Sequence, residues 1–429
     1  MQALSQALPD YDKAPAATIR SKKDESRQMK AVHWYGKEDV RVLDTAVPLV
    51  TDPQDVVLKV TSTCICGSDL HLYEGAMPGM KRGDILGHEF LGIVEEVGPE
   101  VAGLQKGDRV VTSFDIACGS CFYCKHKLFT GCDSTNPSKV QETMYGHHTG
   151  KTSPTNGSGF FGYTHMTGGW DGGQAEYARV PLANVNCLKV PPGLPDDKVV
   201  LLSDILPTAW HACELGEVGE GDRVAIWGAG PVGLLAAKCA FVRGASRVIL
   251  VDQEEFRLEF AKKHIQGVET INFTKRKPQE ALREMFPDGT APDVCIEAVG
   301  MHYTTSWLHW LETALKLETD PSEIVNELIY CVRKGGRVSV IGAYAGYCNH
   351  FNIGAFMEKG LCMKAGQAPV QKYWHMLLGM IQEGKLDPSF VITHRPPLSQ
   401  AAEAYKMFNS KAEGCIKVVL KTGAEATPL

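Results

Sequence analysis

Val224-Ala225-Ile226-Trp227-Gly228-Ala229-Gly230-Pro231-Val232-Gly233 is the stretch whose reading decides the fold. A short run of strand formers leads into G-x-G-x-x-G, and Leu234 to Phe241 continues as an apolar helix. In that context the motif means dinucleotide binding. Gly228 permits the tight turn, Gly230 lets the backbone approach a pyrophosphate, and Gly233, after Val232, lets helix and strand pack closely, while the helix N-terminus faces the anion. A second strand, Arg247 to Val251, ends in Asp252, nineteen residues after Gly233. An acidic side chain there accepts the ribose hydroxyls of NAD and repels the extra phosphate of NADP, so NAD is the expected cofactor.

The competing reading of residues 224 to 242 is a membrane span. Arg223, Lys238 and Arg243, three motif glycines and Pro231 argue against it, as does a mean hydropathy of -0.13. With 44% hydrophobic residues over 429 positions, the chain can bury a large core and is longer than one domain usually is. A net charge of -6 leaves no electrostatic footprint for nucleic acid or an anionic membrane. The expected partners are therefore a small molecule and other copies of the chain, in the cytoplasm.

Upstream, Cys66-Gly67-Ser68-Asp69-Leu70-His71 is followed by Gly87-His88-Glu89. Zinc prefers sulfur and nitrogen, and a catalytic zinc takes three protein ligands and keeps a fourth position open. Cys66 and His88 are candidates for two of them, against the alternative of a buried thiol and a satisfied core histidine. Farther on, Cys118, Cys121, Cys124 and Cys132 form a comb with the spacing of a closed structural zinc site. A disulfide framework is the weaker alternative, because the chain is long and its other ten cysteines are scattered among apolar runs.

Together these residues resemble the zinc-dependent medium-chain alcohol dehydrogenases, in the branch of glutathione-independent formaldehyde dehydrogenase and formaldehyde dismutase. The similarity covers about residues 29 to 421 and rests on C-G-S-D-x-H, G-H-E, the four-cysteine comb, Gly172-Gly173-Gln174-Ala175-Glu176-Tyr177, Leu202-Ser203-Asp204-Ile205-Leu206-Pro207-Thr208 and the glycine fingerprint. The resemblance implies an α/β chain in which a GroES-like β-rich catalytic domain is interrupted by a doubly wound, parallel-sheet Rossmann domain. It also implies two zinc ions per chain, one catalytic and one structural, together with NAD. Where the common branch has a cysteine as third zinc ligand, four residues before a threonine that contacts the nicotinamide, this chain has Asp204 before Thr208. A carboxylate serves zinc and keeps the formal charge. The alternative for Asp204 is a helix N-cap. Cys213, the other nearby thiol, has the wrong offset.

The resemblance further implies that Ser68 and His71 relay a proton, the imidazole having a pKa suited to the task. A turn or cap role for Ser68 and a solvated loop role for His71 stay open. Glu89 is implied as an outer group or occasional fourth ligand, with a salt bridge as the alternative. Gly67, Thr208, Arg257, Val299, Ile341, Ala343, Gly366 and Gln367 carry over as cofactor contacts. Core packing, or for Arg257 an exposed helix face, competes with each.

Residues 1–28 are polar and read as a disordered extension. Residues 29–195 alternate Val-rich runs with Gly and Pro turns, as a β-rich domain does, and 196–345 follow the βαβ pattern. Residues 346–429 are expected to return to the catalytic domain and end in a tail. Two segments exceed a minimal member of the family: the thirty-nine residues between Cys132 and Gly172, with Tyr145, His147, His148, Phe160, Phe161, His165 and Trp170, read as a lid or binding element; and Trp307 to Asp320, read as core or oligomer contact, or as a cover for the adenine half of NAD. The expected activity is hydride transfer between an alcohol or hydrated aldehyde and NAD. An aldehyde dismutase with retained NAD and a non-catalytic zinc- and NAD-binding protein are the alternatives.

Overall fold

The computed structural model describes residues 15–144, 156–300, 320–344 and 346–424. Tyr145, His147 and His148 of the first long segment, and nearly all of Trp307 to Asp320, lie outside them. The chain divides into two compact units, residues 1–207 with 369–429, and residues 208–368.

The first unit is built on strands β1 (Lys23–Gly36), β2 (Asp39–Pro48), β3 (Val56–Ile65), β4 (Phe90–Val97), β5 (Arg109–Thr112), β6 (Asp115–Ile116), β7 (Gly159–Phe160), β8 (Tyr177–Val180) and β9 (Cys187–Lys189). The second carries β10 (Arg223–Trp227), β11 (Arg247–Asp252), β12 (Val268–Asn272), β13 (Val294–Glu297), β14 (Arg337–Val340) and β15 (Cys362–Ala365). The chain then returns to the first unit with β16 (Ile392–His394) and β17 (Lys417–Lys421).

In the first unit the sheet order is β16-β17-β3-β4-β5-β9, with β8 also paired to β3, and most pairings are antiparallel. β3 sits at the middle and is buried at every position except Lys59. It delivers Cys66 at its C-terminal end, and β4 starts directly after His88 and Glu89. In the second unit the order is β12-β11-β10-β13-β14-β15, every pairing parallel, which is the doubly wound order with a switch point between β10 and β13. Val224 to Trp227 are fully buried, as a parallel strand covered on both faces requires.

Three boundaries differ from those read in the sequence. β1 begins at Lys23, inside the expected disordered extension. Its first six residues, Lys23 to Gln28, are polar and largely exposed, and that polarity hides the start of the strand. Residues 196–207 belong to the first unit, where the Asp196 carboxylate accepts hydrogen bonds from Thr61, Ser62 and Arg109. Residues 346–368 belong to the second, because β15 pairs with β14, and four residues without alternation gave no strand signal.

Candidate metal and nucleotide sites

In the first unit a buried cluster forms where β3 ends and β4 begins. Donor atoms of Cys66, His88, Glu89 and Asp204 all lie within 4.8 Å of one another. His88 Nε2 is 3.3 Å from Asp204 Oδ2 and 4.0 Å from Glu89 Oε1. Asp204 comes to this point from the turn after Val200–Ser203, which is held by the Phe114 N–H donating to the Ser203 carbonyl. Cys213 is elsewhere, its thiol donating to the Ala236 carbonyl.

The opposite edge of the His88 ring explains a residue that the sequence reading quoted but did not assign. Asp69 Oδ1 lies 3.1 Å from His88 Nδ1, the carboxylate-on-histidine arrangement that orients a metal-binding imidazole. Burial opposes a charged His88, yet Asp69 and Asp204 outweigh it and raise the imidazole well above its usual range. Burial likewise pushes the Cys66 thiol up. Such a set of proton-hungry donors, shut away from water, fits a divalent cation that takes the protons' place.

Asp69 is held in turn. Its Oδ2 accepts the Cys66 N–H at 2.9 Å and Gln174 Nε2 at 3.2 Å. Gln174 also donates to the Cys64 carbonyl, and its Oε1 accepts the Tyr405 hydroxyl at 2.9 Å. The glycines around it exist to let this packing happen. A Cβ on Gly87 would stand 2.4 Å from Gln174 Cγ, one on Gly172 2.2 Å from the Leu86 carbonyl oxygen, and one on Gly173 2.2 Å from the Phe90 ring. The G-G-Q and G-H-E motifs are two sides of one contact.

Glu89 has two sets of neighbours. It stands in the ligand cluster and pairs with Lys417, at 2.8 Å to Oε1 and 2.7 Å to Oε2, with both side chains wholly buried. Lys417 cancels its charge. Cys66, once deprotonated, and Asp204 would then offer anionic donors to a divalent ion.

Cys118, Cys121, Cys124 and Cys132 converge in a separate group. Sulfurs of Cys118 and Cys124 are 3.9 Å apart and those of Cys121 and Cys132 4.0 Å. Zinc at about 2.3 Å from four thiolates in a tetrahedron would separate them by about 3.8 Å, whereas a disulfide needs about 2.05 Å. Backbone N–H groups of Ser120 and Cys121 point at Cys118 Sγ, which suits a thiolate. The cysteine comb therefore fits a closed zinc site, and all fourteen cysteines of the chain are free thiols.

Ser68 and His71 share one face of the helix Gly67–Tyr73 at a three-residue spacing, and Ser68 Oγ is 3.9 Å from Cys66 Sγ. Gly67 is exposed at the first position of that helix. Three aromatic rings stand beside the metal cluster: Phe114 and Tyr163 meet the His88 ring edge-on at 6.4 and 6.3 Å, and Phe160 packs on Phe114 at 5.0 Å. Phe160 and Tyr163 come from the long segment after the comb. His165 instead faces Asp84 at 3.2 Å, and Phe161 and Trp170 are buried in the core of the unit.

The second unit gathers its candidate residues at the carboxyl ends of the parallel strands. Gly228 follows β10 at φ +97°, a conformation that favours glycine. A Cβ on Gly233 would lie 1.8 Å from the Gly228 carbonyl oxygen. Gly230, by contrast, has only an Arg257 guanidinium nitrogen near, at 3.9 Å, leaving space over the N-terminus of the helix Pro231–Val242 where Pro231 and Val232 begin it. That combination fits a pyrophosphate. Asp252 ends β11, accepting N–H bonds from Ala229 at 2.6 Å and Glu254 at 2.8 Å, with Arg257 3.9 Å away. Val299 follows β13, Ile341 and Ala343 follow β14, and Gly366 with Gln367 follow β15. Thr208 lies in the first turn of the helix Ile205–Leu215.

Glu297, at the end of β13, organises two of these loops. The wholly buried carboxylate accepts N–H bonds from Val299 and Gly300 at 2.7 Å each and from Gly342 at 3.0 Å. Burial raises its pKa against the pull of those three donors. Sequence offered no signal for it beyond its place before Val299. Asp115 is another buried carboxyl, pushed up to about 8 by burial.

The alcohol dehydrogenase GroES-like domain matches residues 52–192, and the zinc-binding dehydrogenase family matches residues 231–312. A zinc-type alcohol dehydrogenase-like protein of Schizosaccharomyces pombe is 42% identical over 91% of this chain and 90% of its own length. The glutathione-independent formaldehyde dehydrogenase of Pseudomonas aeruginosa is 33% identical over 82% of this chain and 87% of its own. Among solved structures, the alcohol dehydrogenase of Thermus sp. ATN1 superposes with a TM-score of 0.76 at 35% identity, over 92% of this chain and 99% of that one. Fold and sites thus define a zinc-dependent oxidoreductase of the medium-chain class. The chain belongs to the zinc-type alcohol dehydrogenase family.

Proposed function

We propose that the protein oxidises a small primary alcohol or hydrated aldehyde with NAD, using Cys66, His88 and Asp204 to hold the catalytic zinc. The carrying observation is the convergence of those donors in one buried cluster with Asp69 behind the imidazole. Bound zinc and nicotinamide supply a Lewis acid for the substrate oxygen and a hydride acceptor. The chain's own residues do the rest. Asp69 fixes the His88 ring, Lys417 neutralises Glu89, and Ser68 Oγ accepts the substrate proton while releasing its own towards His71. His71, half-buried one turn along, passes it to solvent. Phe114, Phe160 and Tyr163 offer an apolar wall beside His88, suited to a substrate whose carbinol carbon bears an apolar group.

On the nucleotide side, Gly228, Gly230, Val232 and Gly233 receive the pyrophosphate, Asp252 and Arg257 flank the adenosine, and the anionic Asp252 disfavours NADP. Gly67, Thr208, Val299, Ile341, Ala343, Gly366 and Gln367 complete the cofactor contacts. A reducing cytoplasm suits fourteen cysteines of which none is in a disulfide. Among the described residues no helix is long and apolar enough to cross a membrane. β15 ends its sheet with a mostly exposed edge, and the nearby helix Ile353–Glu358 leaves Ile353 63% and Met357 69% exposed, which supports a homo-oligomer. The test is nicotinamide absorbance over a panel of aliphatic, benzylic and hydroxymethyl alcohols and formaldehyde, with and without added NAD and glutathione. NAD-dependent turnover that is absent in Cys66→Ala is the expected result; unchanged turnover in that variant sinks the assignment, and disproportionation by dialysed protein without added NAD replaces it with a dismutase.

A further inference from the structure

We infer that Tyr405, far along the chain in the helix Ala401–Asn409, is a positioning residue for the catalytic metal, acting through Gln174 and Asp69 on His88; this rests on the metal site proposed above. Four buried groups form one chain of contacts: the Tyr405 hydroxyl donates to Gln174 Oε1 at 2.9 Å, Gln174 Nε2 donates to Asp69 Oδ2 at 3.2 Å, and Asp69 Oδ1 meets His88 Nδ1 at 3.1 Å. Tyr405, Gln174 and Asp69 are each wholly inaccessible to water, and His88 is 4% exposed. No solvent can stand in for a missing link.

The direction of the two hydrogen bonds that join Gln174 to its neighbours is forced. Gln174 Nε2 faces two acceptors, Asp69 Oδ2 and the Cys64 carbonyl, so the amide oxygen must face Tyr405, and the phenol must donate. Deleting that hydroxyl leaves Gln174 Oε1 a buried acceptor without a donor. The amide can then relieve itself only by turning, which sets its oxygen against a carboxylate and a carbonyl, or by moving. Either change loosens Asp69, and with it the imidazole that Asp69 orients. Groups that hold a metal ligand in this way typically change metal affinity by about 10- to 100-fold when removed. The helix bearing Tyr405 belongs to the segment that returns to the first unit after residue 368. The metal site is accordingly finished by the end of the chain, and a protein still lacking residues 401–409 should hold catalytic zinc weakly.

The experiment is chelator-driven zinc release from the full chain, followed by a colorimetric indicator well below the unfolding temperature, with His88→Ala identifying the phase that belongs to the catalytic zinc. Tyr405→Phe should accelerate that phase about tenfold and leave the four-cysteine phase unchanged. Phe408→Leu, a truncation in the same helix and the same core, controls for stability; it should lower the unfolding temperature without accelerating release. Gln174→Met gives a second variant with the same expected acceleration, to be used if Tyr405→Phe does not fold. Equal acceleration in Phe408→Leu, or an unchanged catalytic phase in Tyr405→Phe, overturns the inference. A wild type that releases a single zinc, or a His88→Ala variant that keeps both phases, overturns the metal site itself, so the two failures are distinguishable.

Discussion

Replacing Glu297 tests whether one buried carboxylate holds the two nucleotide-facing loops that follow β13 and β14. Its three N–H partners lie at 2.7, 2.7 and 3.0 Å; the carboxylate and the Gly300 N–H are buried, while the Val299 and Gly342 bonds are part-buried. Glu297→Ala removes the acceptor of all three donors, at about 1–3 kcal/mol for the buried Gly300 N–H and about 0.5–1.5 kcal/mol for each part-buried one, or roughly 2–6 kcal/mol before the loops relax. Glu297→Gln keeps an oxygen for Val299 and Gly300 and sets its amide N–H against the Gly342 N–H, so it loses one bond, about 1–3 kcal/mol. Urea unfolding followed by circular dichroism should place the Ala variant well below the Gln variant, and NADH titration by fluorescence should weaken in the same order. Equal midpoints for the two variants, or unchanged NADH affinity in both, would refute the view that hydrogen bonds donated to this carboxylate shape the loops.

Lys417→Met should destabilise the first unit by about 3–5 kcal/mol by stranding the buried Glu89 carboxylate, and adding Glu89→Gln should recover most of it in the same unfolding assay. Asp115 binds its proton more tightly in the folded chain, at about 8 against an ordinary value of 3.8. Its share of stability is therefore intact below the ordinary value and lost as pH climbs to about 8, so Asp115→Asn should flatten the pH dependence of the unfolding midpoint across that window. Asp252→Asn removes the negative charge facing the ribose. Comparing KM for NAD and NADP should show the ratio relaxing by about tenfold, the equivalent of about 1.4 kcal/mol of lost discrimination.

The parts of this protein that could be read from sequence are those whose chemistry is local. A glycine fingerprint works through a turn and the first turn of a helix, and the four thiols of the cysteine comb converge within fifteen residues. Asp204 is the intermediate case: spacing alone left it open as an N-cap, family resemblance made it a ligand, and the fold brings it beside His88. Tyr405 and Lys417 carry no sequence signal, and Gln174 stands in a family motif that does not disclose its partners, for a physical reason. Their partners lie 231 residues away for Tyr405, 105 for Gln174 and 328 for Lys417, and a side chain that meets its partner only after folding leaves no periodicity to read. β15 was missed because four mostly exposed residues at a sheet edge show neither alternation nor an apolar run. β1 was clipped at its start because an edge strand can be as polar as a disordered tail.

Zinc content of purified wild-type protein and of Asp204→Ala, measured by elemental analysis alongside NADH affinity, tests the central claim most directly. The account predicts two zinc ions per chain in the wild type and one in the variant, with NADH affinity preserved. Two ions retained in Asp204→Ala with undiminished alcohol oxidation would contradict it.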